Sequence, residues 1–89
     1  MITNTVTIIN KLGLHARAAA KFVSTASAFA CDIQAGRQGS MVDGKSIMSV
    51  MMLAASKGTE LSLQCNGSDE EKAMKAIIEL INNRFDEDE

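Results

Sequence analysis

The sequence predicts a two-layer α+β sandwich, an open-faced and mainly antiparallel four-stranded sheet covered on one face by three helices. Three observations carry this. Apolar residues alternate in four short runs, they recur at helical spacing in three others, and the chain of 89 residues has no proline, no repeat and no Gly/Ser-rich linker to divide it. Residues 1–89 are therefore expected to form a single domain. Half-buried alternating strands interleaved with amphipathic helices favour helices gathered on one side of an antiparallel sheet.

Ile2, Val6 and Ile8 fall on alternate positions and predict the first strand. Gly13 marks the joint to a helix beginning near Ala16, whose Ala19, Phe22, Val23 and Ala26 follow the spacing of one apolar face. Cys31, Ile33 and Ala35 alternate again; Gly36 to Gly39 supplies turn chemistry, and Met41 to Asp43 is the partner strand of a hairpin. Ser46 is placed as the N-cap of a second, short helix carrying Ile47, Met48, Val50, Met51 and Leu53. Leu61, Leu63 and Cys65 form a fourth strand. Ser68 and Glu71 match a capping box that opens a third helix with Met74, Ile77, Ile78 and Ile81 on its inner face. The acidic ending, residues 86–89, is expected to fray.

With 46% hydrophobic and 22% charged residues, the composition excludes a disordered chain, and no apolar run approaches the length of a membrane span. No export signal is read at the N-terminus, and two cysteines that read as unpaired thiols point to the reducing cytoplasm. Cys31 and Cys65 each sit in an alternating apolar run and read as buried thiols rather than a disulfide or a metal pair. The net charge of −2 hides a division: residues 1–57 hold six basic groups against two acidic ones, and residues 58–89 hold three against nine. A sign-segregated surface of this kind steers association with an acidic partner.

One histidine excludes a multi-histidine metal centre, and no phosphate-binding glycine loop is present. Three phenylalanines are the only aromatic residues and the sequence pI is near 5.3, which argues against nucleic-acid binding. No cofactor and no metal are expected. What remains is His15, at the start of the first helix, where backbone donors and about half a positive charge gather. That field favours a neutral imidazole with a free nucleophilic nitrogen, and Arg17 offers a guanidinium for phosphate oxygens, with Lys21 or Lys45 as further charge if the fold brings them near. The ordinary readings are a surface histidine at a loop–helix joint and a serine serving only as a helix cap. The short second helix cannot bury all of its apolar residues, which leaves an adaptable docking patch.

The stretches GLHARAAAKF (Gly13 to Phe22) and GKSIMSVMMLAASKG (Gly44 to Gly58) resemble HPr, the histidine-containing phosphocarrier family of the bacterial phosphotransferase system. The ending FDEDE (Phe85 to Glu89) and the ARAAAKF variant look more like its nitrogen-related branch, NPr. The resemblance implies strand order 1-4-2-3, with His15 accepting a phosphoryl group on Nδ1 from phospho-Enzyme I and passing it to an Enzyme IIA-type acceptor. Arg17 would steady the phosphate. The implied docking set is Ala16, Arg17, Ala20, Lys21, Ser24, Lys45, Ile47, Met48 and Met51, and Ser46 matches a serine that a dedicated kinase modifies in some relatives. The protein would be a stoichiometric carrier rather than an enzyme, and a monomer. Many relatives carry proline where this chain has Ala18, which supplies helix propensity and an N–H instead. The alternative is a regulatory binding module that works through Ser46 and the docking face without obligatory relay.

Overall fold

The computed structural model describes all residues, 1–89. Strand β1 (Ile2–Thr7) leads through a loop to α1 (Ala16–Ser27), followed by the hairpin β2 (Asp32–Arg37) and β3 (Ser40–Asp43), α2 (Ile47–Met52), β4 (Glu60–Asn66) and α3 (Glu70–Asn82). The sheet order is β1-β4-β2-β3, and every neighbouring pair is antiparallel. This is the predicted sandwich. β4 sits between β1 and β2 because its Leu61, Leu63 and Cys65 all point to the buried face, in register with Val6, Ala35 and Ile33 of its neighbours. The helices cover that face with Ala18, Ala19, Phe22 and Ala26 from α1 and Ala73, Met74, Ile77 and Ile81 from α3. Each large apolar side chain taken fully from water here contributes about 1.5–3 kcal/mol.

Three local expectations shift. The hairpin turn is confined to Gln38 and Gly39, both at positive φ (52° and 84°), the geometry that matches strand twist in a two-residue connection. Gly36 belongs to β2, opposite Met41, where a Cβ would lie 2.2 Å from the Ser40 carbonyl oxygen. The Ser68–Glu71 capping box is not formed: the N-cap of α3 is Asp69. Its carboxylate is turned away from the helix to accept from the amides of Ala30 and Cys31, at 2.8 and 3.0 Å, which have no strand partner there. Glu70 reaches back to the amide of Gly67 at 3.1 Å and also pairs with the N-terminal ammonium at 3.1 Å.

These contacts set the acid stability. The Ala30 amide, with Cys31 beside it, holds the Asp69 carboxyl below its ordinary range, and Gly67 with the N-terminus does the same for Glu70. A depressed carboxylate stabilises the fold fully above the range in which the unfolded group ionises, and the contribution is lost as pH falls through the folded value. Urea midpoints should therefore drop steeply below about pH 4. Asp69→Asn should be less stable at neutral pH and show a flatter fall in that acid window; an unchanged slope would remove Asp69 from the account.

Both cysteines are free and buried. Burial pushes the Cys31 thiol up to about 11, with Asp69 adding to the effect, and burial raises Cys65 as well.

The residues expected to fray are held. After α3 the chain makes one left-handed turn in which Arg84, Phe85 and Asp86 all have positive φ, between 54° and 62°. The Phe85 ring is fully buried, Lys21 Nζ donates to its carbonyl at 2.8 Å, and the Lys11 amide donates to the Glu89 carbonyl at 2.6 Å. The acidic ending folds back over the basic start of the molecule because its charges meet Lys11, Lys21 and His15 there.

Candidate functional site

The loop between β1 and α1 is fixed before the helix begins. Gly13 lies at φ 66°, and a Cβ there would fall 2.4 Å from the carbonyl oxygen of Ala55, so only glycine suits the position. The Leu14 amide donates to the same carbonyl at 2.8 Å, which brings the start of α1 against the chain leaving α2. His15 follows as the N-cap of α1 in extended conformation (φ −71°, ψ 177°), and its carbonyl accepts the first helical bond from Ala19 at 2.8 Å. Its side chain does not cap the helix. The ring is a quarter exposed, and its Nε2 is hydrogen-bonded to Oε2 of Glu87.

Arg17, one residue into the helix, is exposed and engaged in no hydrogen bond or ion pair. Together with Lys11, Leu12, His15 and residues 86–89 it lines one open cleft. The structure thus joins the two residues singled out at the helix start and adds three that sequence reasoning missed. Glu87 grips the ring. Asn10 is fully buried and donates from Nδ2 to the Gly13 carbonyl at 2.9 Å and to Oε1 of Glu87 at 3.0 Å. Leu12 is exposed on the connecting loop. The acidic ending was visible in the sequence, but nothing there told that it returns 72 positions to the histidine.

The other candidates divide. Ala16, Ala20, Ser24, Ile47, Met48 and Met51 are exposed along α1 and α2, and Met52 extends the patch. Val50 alone of α2 is fully buried, which leaves the apolar surface the short helix could not hide. Lys45 does not reach His15: its Nζ donates to the Phe29 carbonyl at 2.7 Å, beyond the far end of α1 and about 20 Å along its axis from the histidine. Lys21 lies between, holding the tail through Phe85 and, at 3.9 Å, Asp86. Ser46 is the N-cap of α2, half-buried, with its Oγ accepting from the Ser49 amide at 3.3 Å.

A glycine-fixed loop thus seats the chain's one histidine at the start of α1, beside an unpaired guanidinium. Residues 2–83 match the family model described as the PTS HPr component phosphorylation site. The chain belongs to the HPr family of phosphocarriers of the bacterial phosphotransferase system. It is 64% identical to the phosphocarrier protein HPr of Pseudomonas aeruginosa over 85 residues, 94% of each chain. Among solved structures, an HPr of Thermoanaerobacter tengcongensis superposes with a TM-score of 0.96 at 45% identity over the whole of both chains. A dimer of HPr from that organism gives 0.78 at 46% identity, covering 98% of this chain and 100% of the other. No helix is long and apolar enough to cross a membrane.

Proposed function

We propose that His15 is the phosphoryl acceptor of this carrier, taking a phosphoryl group from phospho-Enzyme I on Nδ1 and delivering it to an Enzyme IIA-type acceptor. The observation that carries this reading is the ring itself: quarter-exposed at the start of α1, with Nε2 engaged by Glu87 and an unpaired guanidinium two residues away. The nucleophile is the Nδ1 lone pair, and the positive end of α1 favours the anion that arrives there. Arg17 steadies the phosphate oxygens. Transfer of this kind needs positioning and charge stabilisation rather than covalent machinery from the carrier, which accords with a stoichiometric intermediate rather than an enzyme. Both partners dock on the exposed apolar patch of α1 and α2, in turn, and the carrier works as a monomer in the cytoplasm.

The acidic ending and the ARAAAKF stretch favour the nitrogen-related branch on this reading. Incubating the purified chain with phosphoenolpyruvate and the Enzyme I of each branch tests it: faster labelling by the nitrogen-related enzyme is expected, and faster labelling by the sugar-branch enzyme would reverse the assignment. Acid-stable, alkali-labile phosphate would point to serine and contradict His15 altogether.

Arg17→Ala should slow uptake about a hundredfold, the scale of removing one donor aimed at developing charge, while the fold is unaffected because the side chain is exposed and makes no hydrogen bond or ion pair. Rapid-quench measurement of phospho-Enzyme I consumption reads the rate. A variant as fast as the parent would leave the guanidinium without a role.

A further inference from the structure

Glu87 lies outside both motifs that carry the family resemblance, yet it makes the only side-chain hydrogen bond to the histidine. Its second oxygen is held by Asn10, whose Oδ1 is buried without a partner while Nδ2 serves Glu87 and the Gly13 carbonyl. A buried polar atom without a partner calls for an explanation, and the two acceptors engaged by Nδ2 set the orientation that leaves Oδ1 unpaired. Burial pushes the Glu87 carboxyl up, but the Asn10 donor, the His15 ring and the nearby Arg17 outweigh it and hold the group below its ordinary range. An ionised carboxylate only accepts hydrogen bonds, so the ring nitrogen facing it carries a proton, and in the neutral ring the lone pair then lies on the other nitrogen.

Building on the relay reading above, we propose that Glu87 is the positioning residue that fixes the Nε2–H tautomer of His15, directs phosphoryl groups to Nδ1 and keeps the phosphorylated ring cationic. In the transfer step the Nδ1 lone pair forms the new N–P bond. The donor's bond to phosphorus breaks with its electron pair returning to the donor, and the Nε2 proton stays against Glu87. The ring then bears a positive charge beside a carboxylate, the relation that holds a catalytic imidazolium in place in hydrolytic triads. A cationic imidazole leaves phosphorus more readily than a neutral one, so the group remains easy to pass on. The other charged groups of the cleft are Lys11, Arg17, Asp86, Asp88 and Glu89. Lys11 is paired with Glu89 at 3.4 Å and Asp86 faces Lys21, which leaves Glu87 as the group that touches the ring.

The test uses potassium phosphoramidate, a small donor that phosphorylates histidine with loss of ammonia and needs no partner protein. The full chain, Glu87→Ala and Glu87→Gln are labelled, and the isomer formed is read by phosphorus and nitrogen NMR along with the lifetime of the Nδ1 adduct. The wild type should give the Nδ1 isomer. Both variants should raise the share of Nε2 adduct relative to Nδ1 about tenfold, the equilibrium equivalent of losing one hydrogen bond to a charged group, and lengthen the Nδ1 adduct's lifetime several-fold. Wild-type ratios and lifetimes in both variants would overturn the proposal. So would a change in Glu87→Ala alone, which assigns Glu87 to shielding by bulk. Failure of Enzyme I to label the wild type would remove the relay and leave this measurement standing.

Discussion

His15→Ala is expected to take up no phosphoryl group from phospho-Enzyme I and to melt within about 1 kcal/mol of the parent, since substitutions away from core and capping features rarely cost more. Loss of function without loss of fold follows from two features of the position. The chain contains one histidine, so no second imidazole can stand in. The ring is not part of the helix cap, and the carbonyl that accepts the first helical bond belongs to the backbone and survives the change. Glu87 loses its ring contact but keeps the Asn10 donor and the influence of Arg17. Labelling with radioactive phosphoenolpyruvate, alongside a thermal melt, separates the two quantities. Residual uptake above background would move the acceptor elsewhere.

Phe85→Ala should be the most destabilising change near the site. Truncating a fully buried phenylalanine costs about 3–5 kcal/mol. In a domain of this size each kcal/mol lowers the melting temperature by about 4–8 °C, so a fall of more than about 12 °C is expected. The ring also holds the left-handed turn, which is unfavourable by about 1–2 kcal/mol at each of its three non-glycine residues. Lys21 and Lys11 contribute one hydrogen bond each to the backbone of the returning tail, and Asn10 and His15 engage Glu87, contacts of about 1 kcal/mol each that do not replace the buried ring. With the ring gone, the turn should relax and withdraw Glu87 from His15, visible as loss of the His15–Glu87 contact by NMR. A melting temperature close to the parent's would show that the turn is stabilised by something other than the ring.

Much of the architecture was legible because it rests on local pattern. The alternation of Leu61, Leu63 and Cys65 and the helical spacing of Phe22, Met74 and Ile77 each name a buried face, and burial agrees with them. Ser46 was legible as a cap because its side chain bonds three residues on, within the same turn. What was missed depends on contacts between distant segments. Asp69 serves amides 38 and 39 positions away, which displaced the expected Ser68 cap. Asn10 looked like an ordinary loop residue, and four consecutive acids from Asp86 to Glu89 have the composition of a solvated end. Only the burial of Phe85 and the basic groups facing the turn reverse that expectation, and neither is a property of the tail's own sequence. Lys45 was offered as further charge for the histidine only if the fold brought it near, and the fold instead directs its ammonium to the carbonyl of Phe29.

Both native thiols are enclosed, and Cys31 stays protonated well above neutral pH. Thiolate is the form that attacks maleimides and iodoacetamides, so native protein should react slowly with either reagent. The molecule therefore offers a silent background for site-specific probes. A cysteine introduced at the exposed Met48 or Ser24 would take up a fluorophore or spin label alone, and the docking proposed for this face could be followed without first mutating Cys31 or Cys65.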